Sequence, residues 1–302
     1  MPIFPSVRVA GAVVALAALA ATQASAQAPL ESLRPELEAR IARHRGTVAV
    51  SVVDPRTGES LSIRGDEPFP SASIIKLPVL VELFHQIEQR RLRWEDPLVL
   101  LEADKVPGSG ILQHLTTPHH LTIGDAALLM ITLSDNTATN LILDKVGIRS
   151  VWERMEALGL PRTKVHSKTF MRSTSVAPDS SARYGLGVIT ANEIARLLAM
   201  IYRGEVVSPE ASRRMIEILE KQFYAEGIPR HLGDARVAHK TGSLDAARHD
   251  CGIVFSEARD YVLCILTRDN ADRSWGLDNE AHLLIADLAR LVHARLAPAA
   301  QE

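Results

Sequence analysis

The chain has 302 residues, is 46% hydrophobic and carries a net charge of -2. That is an ordinary globular composition, with length for one large domain or two subdomains sharing a core. No long basic or acidic run is present, so electrostatics gives no case for nucleic acid or an anionic membrane surface.

The first segment reads as a leader. Arg8 is followed by an apolar run from Val9 to about Ala21, then by the small-x-small pattern Ala24-Ser25-Ala26. The run falls short of the ~20 residues a spanning helix needs. Export with cleavage after Ala26 is therefore expected, to the periplasm or the exterior. No cysteine follows the run to take a lipid anchor, and no later segment is long and apolar enough to span a bilayer.

Beyond the leader, Leu30 to Gly46 shows an amphipathic helical period stopped by glycine. Two β-rich runs then flank Asp54-Pro55-Arg56-Thr57-Gly58, a hairpin signature. After Pro70 the β signal fades for about 150 residues. Helical periods cover Ile74–Gln89, Thr122–Leu133, Thr137–Val146, Ser150–Ala157, Ala191–Tyr202 and Pro209–Gln222. Thr122 with Asp125 forms an N-terminal capping pair, and Gly147 stands where a helix should stop. Strand signals return at Val237–Leu244, Cys251–Ser256 and Tyr261–Thr267, before a last helix from about Asn279 to Leu296. Cys251 and Cys264, the only cysteines, are expected to be buried free thiols on these strands.

Strands split by a helical insertion predict a mixed α/β (α+β) fold. One antiparallel sheet is built from both ends of the chain, and the terminal helices cover one of its faces. The expected organisation is a leader over 1–26 and one catalytic domain over 27–302. Within it, 27–68 and 225–302 form a sheet subdomain and 69–224 an all-helical one. The junction of the two is where a site is expected.

Three short motifs fall at that junction. Ser73-Ile74-Ile75-Lys76 opens the first helix of the block. Ser134-Asp135-Asn136 lies in a turn between helices, and Lys240-Thr241-Gly242 lies on the first returning strand. An S-x-x-K match alone arises by accident about half the time in a chain of this make-up, but the two triplets are far rarer. With all three in this order the chain resembles the class A serine β-lactamases and the related penicillin-binding proteins, over nearly all of its mature length. The resemblance implies a β-lactamase/transpeptidase-like fold and a hydrolase working through an acyl-serine.

Chemistry assigns the parts. Ser73 and Lys76 stand at i and i+3, about 5–6 Å apart on one helix face, where a hydroxyl and an amine can share a proton. A helix N-terminus at Ser73 favours developing negative charge, and burial with Lys240 nearby lowers the Lys76 pKa, which suits a general base. Ser134 would pass a proton to the leaving nitrogen, Asn136 would hold a substrate amide, and Asp135 would tie the turn to backbone N–H groups. Lys240 and Thr241 would bind a substrate carboxylate, with Arg248 or Arg273 as further candidates. Gly242 would let substrate backbone approach the strand. By resemblance, the backbone N–H groups of Ser73 and Ser243 form the oxyanion hole, and Lys105 to Leu115 rims the cleft.

One expected part is missing. Class A enzymes carry a loop glutamate, in an E-x-x-L-N pattern, that activates the deacylating water. Here Ala157 to Pro178 contains no carboxylate, and His166 is a solvated loop histidine by default. The reading is thus an exported serine hydrolase attacking the β-lactam amide through acyl-Ser73, with slow deacylation. The alternatives are a peptidoglycan DD-peptidase, or a protein that binds β-lactam or cell-wall peptide without turnover. No metal or cofactor is expected: the 11 histidines include no H-E-x-x-H, and His119 and His120 sit side by side in an expected loop. A small molecule is the expected partner, with no nucleic acid, no membrane span, and a monomeric protein.

Overall fold

The computed structural model describes Met1 and residues 29–297. The expected leader and its cleavage point after Ala26 lie outside the described residues, Met1 apart.

Helix α1 (Arg34–Ile41), entered through a 3-10 turn at Leu30–Leu33, leads into strands β1 (Thr47–Val53) and β2 (Ser60–Ile63). The two-residue strand β3 (Phe69–Pro70) and a 3-10 turn at Ala72–Ile75 deliver the chain to α2 (Lys76–Glu88). A small hairpin of β4 (Pro97–Leu100) and β5 (His119–Thr122) precedes α3 (Ile123–Thr132), α4 (Asn136–Val146) and α5 (Ile148–Ala157). Next come β6 (Lys164–Val165), α6 (Pro178–Tyr184), β7 (Gly187–Ile189), α7 (Ala191–Arg203) and α8 (Pro209–Leu219). The chain closes with β8 (Arg236–Leu244), β9 (Ala247–Phe255), β10 (Tyr261–Arg268) and α9 (Glu280–Leu296).

Five strands pair antiparallel in the order β2-β1-β10-β9-β8. Both ends of the chain thus build one sheet, and β8 is left at its edge. Period-2 alternation sorts the side chains. Val48, Val50 and Val52 face α1 and α9, in a core with Leu37, Ile285, Leu288 and Val292. Ala49 and Val53 face the other way, into a larger core with Ile194, Leu197 and Leu198 of α7. Helix ends follow local chemistry. Thr122 and Asp125 form a reciprocal capping box, and Gly147 at φ 82° ends α4.

Three expectations are corrected. The stretch after Pro70 is not purely helical, because β3, β6 and β7 form a small sheet and β4 pairs with β5. Strands of two to four residues are too short to show a period. His119 and His120 lie on β5 rather than in a loop. Cys251 and Cys264 are directly opposed across β9 and β10 and form a disulfide, so they are not free thiols. Among the described residues no helix is long and apolar enough to cross a membrane.

Candidate active site

The three motifs converge where α2, the α3–α4 turn and β8 meet. Ser73 sits, partly exposed, in the 3-10 turn rather than on α2 itself, and Lys76 is the first residue of α2. Two neighbours fix this turn. His249 on β9 meets the carbonyl of Pro70 through Nε2, 2.8 Å away, and its Nδ1 accepts from Thr267 N–H. That arrangement is the neutral tautomer with hydrogen on Nε2. Burial pushes the His249 pKa down to about 4. From the other side β8 presses in. A Cβ on Gly242 would lie 3.1 Å from Ser73 N and 3.1 Å from Ala72 Cβ. The missing side chain therefore makes room for the Ser73 turn.

Lys76 and Lys240 are both fully buried. Lys76 Nζ lies 2.6 Å from Ser134 O, 3.2 Å from Ser134 Oγ and 2.9 Å from Asn136 Oδ1. Lys240 Nζ lies 3.0 Å from the same Ser134 Oγ and 2.8 Å from Thr241 O. Burial, then the neighbouring Lys240 charge, holds the Lys76 pKa well below the ordinary lysine range. Burial pulls Lys240 down to about 7, against the attraction of Asp250. Two cations close together in a dry site oppose each other, so one of the two amines gives up its proton first.

The hydrogen bonds serve either charge state of Lys76: an ammonium donates to all three oxygens, and its lowered basicity favours the uncharged amine. A carbonyl and an amide oxygen can only accept, so an uncharged amine spends both N–H groups on Ser134 O and Asn136 Oδ1. Its lone pair then faces the Ser134 hydroxyl, which in turn accepts from Lys240. Ser134 thereby links the two amines. It holds φ 52°, a left-handed conformation that costs a non-glycine residue of order 1 kcal/mol and that clusters at functional sites.

Asp135 ties the turn down, as expected. Its carboxylate caps α4 at Ala138 N and accepts from the N–H groups of Ile111 and Leu112. Asn136 also donates to Pro107 O, 3.0 Å away. The 105–115 segment therefore packs onto the S-D-N turn, and its two glycines are fitted to it. A Cβ on Gly108 would lie 2.7 Å from Asn136 Nδ2, and one on Gly110 would lie 2.2 Å from Asp135 Cγ.

Thr241 and Ser243 are partly exposed along edge strand β8, where an extended substrate segment can lie alongside. Arg248 is not free to join them. Its guanidinium binds the carbonyls of Leu244, Ala247 and Ser274, and Trp275 covers it. Arg273 is exposed outside this cluster.

Sequence reasoning missed three residues. Asp250 pairs across from Thr241, accepts from Ile228 N–H, and lies 2.8 Å from His239 Nδ1. His249 anchors the nucleophile turn. Asn140, one turn beyond Asn136, holds the backbone of Thr169 in the 161–187 loop. A signal for the first two was available: polar residues beside a run of apolar strand residues need buried partners. His166 is corrected as well. It is buried, not solvated, and burial lowers its pKa.

Comparisons with known proteins agree with this geometry. The model of the family described as "Beta-lactamase enzyme family" matches residues 32–296. A β-lactamase of Rhodobacter capsulatus is 25% identical over 278 residues, covering 91% of this chain and 92% of its own. Among solved structures, a β-lactamase from Sphaerobacter thermophilus is 29% identical with a TM-score of 0.77, covering 87% of this chain and 95% of its own. A PBP-A variant solved as an acyl-enzyme complex with penicillin G is 28% identical with a TM-score of 0.77, covering 88% and 97%. Since the family match runs through helices and sheet alike, the chain belongs to the β-lactamase enzyme family.

Proposed function

We propose that the protein is an exported serine hydrolase that opens β-lactam amides through an acyl-Ser73 intermediate and releases the product slowly. The observation that carries this is the position of Ser134 Oγ, 3.2 Å from Lys76 Nζ and 3.0 Å from Lys240 Nζ. Such a hydroxyl can move a proton between a base and a leaving group.

Ser73 Oγ bonds to the lactam carbonyl carbon while its proton passes to the Lys76 amine. The amine's present partners are Ser134 and Asn136, so its lone pair must turn toward Ser73, one turn away, when substrate arrives. The backbone N–H groups of Ser73 and Ser243 hold the developing oxyanion. As the C–N bond breaks, the proton travels from Lys76 through Ser134 to the departing nitrogen. Protonated Lys240, with Thr241 and Ser243, receives the substrate carboxylate. Gly242 supports the site from behind, and Asn136 orients both Lys76 and a substrate amide. The acyl-enzyme of the PBP-A relative supports the covalent step.

The loop without a carboxylate favours one second reading, a peptidase acting on the D-Ala-D-Ala ends of cell-wall peptides. Nitrocefin turnover, muropeptide hydrolysis and intact mass, run on wild type and Ser73→Ala, test both. One covalent equivalent that then decays, absent from Ser73→Ala, is the expected result. An adduct that never decays marks a binding protein, and no adduct under saturating penicillin overturns the acyl-serine reading.

A further inference from the structure

The 161–187 loop carries five cations, Arg162, Lys164, Lys168, Arg172 and Arg183, against one acid, Asp179. In a chain of net charge -2 that is a local inversion. Three of the cations are matched by acids outside the loop: Arg162 by Asp66, Lys164 by Glu156 and Lys168 by Asp144. Arg183 lies over the ring of Tyr184. Arg172 is exposed and has no ion pair or side-chain hydrogen bond among the described residues.

The turn that leads to Arg172 reaches the cleft. Asn140 holds both backbone groups of Thr169, at 2.8 and 3.0 Å, so the loop is fastened to α4, the helix that Asn136 opens. Phe170 follows, at φ 59° and 67% exposed. A Cβ on Gly108 would stand 3.3 Å from its ring and 2.7 Å from Asn136 Nδ2. Ring and amide thus flank one point on the cleft wall, and the other end of that amide binds Lys76.

Beside the ring lies a cavity of about 280 Å³, lined by Phe170, Met171 and Leu186 and by the cations Lys168 and Arg172. The backbone that presents Arg172 is tied. Met171 N–H donates to Lys168 O at 3.2 Å, Lys168 N–H to Thr174 Oγ1 at 2.9 Å, and Ser175 N–H to Arg172 O at 3.0 Å. Little backbone ordering is then lost when a ligand binds. An unpaired guanidinium on a fixed turn, at a cavity whose wall is an aromatic ring beside the cleft, suits a carboxylate.

We propose that Arg172 gives the cleft a preference for acyl donors that carry a carboxylate on the acyl side of the bond to be broken. This deepens the acyl-Ser73 reading and rests on it. The acyl side chain lies along Phe170, and its carboxylate meets the guanidinium in the cavity. Lys240 serves the carboxylate on the side of the leaving nitrogen, so Arg172 adds a contact at the other end of the substrate.

Three penicillins that differ only at the side-chain α-carbon make the test: benzylpenicillin, α-carboxybenzylpenicillin and α-aminobenzylpenicillin. Intact mass gives the second-order rate of adduct formation, and each rate is taken relative to benzylpenicillin in the same protein, which cancels intrinsic reactivity. From wild type to Arg172→Gln the relative rate of the carboxy compound should fall about fivefold, the scale of an exposed ion pair. Arg172→Lys, which keeps the charge, should retain most of the preference, and Arg172→Glu should favour the amino compound. Hydrolysis of N-succinyl-Gly-D-Ala-D-Ala against its N-acetyl counterpart repeats the comparison with peptides. A gain that depends on Arg172 in the penicillins assigns the carboxylate to a β-lactam side chain, and one in the peptides assigns it to a cell-wall peptide; either supports the proposal. Adducts that form in every protein, with relative rates in both series indifferent to Arg172→Gln and Arg172→Glu, overturn it and leave the acyl-Ser73 reading standing. No adduct in wild type removes that reading and this inference with it.

Discussion

Lys76 Nζ lies 2.6 Å from the carbonyl oxygen of Ser134 and 3.2 Å from its hydroxyl. The shorter contact can only be a donation from nitrogen. The longer one is free to run from the hydroxyl to the nitrogen, and it does so once the amine is uncharged. A buried lysine in this setting is both a proton acceptor and one end of a relay.

Removing the relay should therefore slow bond breaking without unfolding the site. Ser134→Ala is expected to lower the acylation rate by about 10²–10³, the range for a positioned proton carrier. Its melting temperature should stay close to wild type. Stopped-flow acylation with nitrocefin, alongside thermal unfolding, checks both halves.

The two amines also set a pH profile. In the free protein Lys240 loses its charge near pH 7, which weakens its hold on a substrate carboxylate. Lys76 must be uncharged to act as base, so protonation at lower pH stops acylation. The second-order acylation constant should trace a bell, with the alkaline limb set by Lys240. Asp250 props up the Lys240 charge, so Asp250→Asn should move that limb to lower pH. An unmoved limb would detach Asp250 from Lys240.

The same shift has a stability consequence. Lys240 titrates near 7 when folded and at ~10.4 when unfolded, so between these values the unfolded chain binds the extra proton. Folding stability should then rise with pH through that window, by about 1.4 kcal/mol per pH unit for each such proton. Lys76 adds to the slope in the same direction. Urea unfolding at pH 7, 8 and 9 measures the slope, and Lys240→Met should reduce it by close to one proton.

Gly242 gives a purely steric prediction. An added methyl group meets Ser73 N and Ala72 Cβ at 3.1 Å, tighter than ordinary contact. Gly242→Ala should displace the Ser73 turn, lower acylation at least tenfold and cost about 1–3 kcal/mol, as overpacking does elsewhere. The combined loss of rate and stability distinguishes this from Ser134→Ala.

Much of this was readable in the chain. The β-rich TVAVSVV run is strand β1, and the Thr122–Asp125 pair marked a real capping box. The three motifs met because each stood at the end or edge of an element, and element ends are local signals. What stayed hidden was set by distance along the chain. Asn140 and Thr169 are 29 residues apart, and nothing local to either announces the clamp. The Cys251–Cys264 bond depended on a strand register that a one-residue slip would have destroyed. His249 and Asp250 fall just before the strand expected at Cys251–Ser256, on the part of β9 that the sequence reading left out, and only the fold showed what each one holds.

The account depends on an uncharged Lys76 taking the Ser73 proton. The most direct measurement is the rate of penicillin adduct formation, followed by intact mass with peptide mapping, in wild type, Ser73→Ala and Lys76→Met. One adduct on the peptide bearing Ser73, none in Ser73→Ala, and a rate at least about 10³-fold lower in Lys76→Met is the result expected for a base working on its nucleophile. Adduct formation at the wild-type rate in Lys76→Met would contradict it.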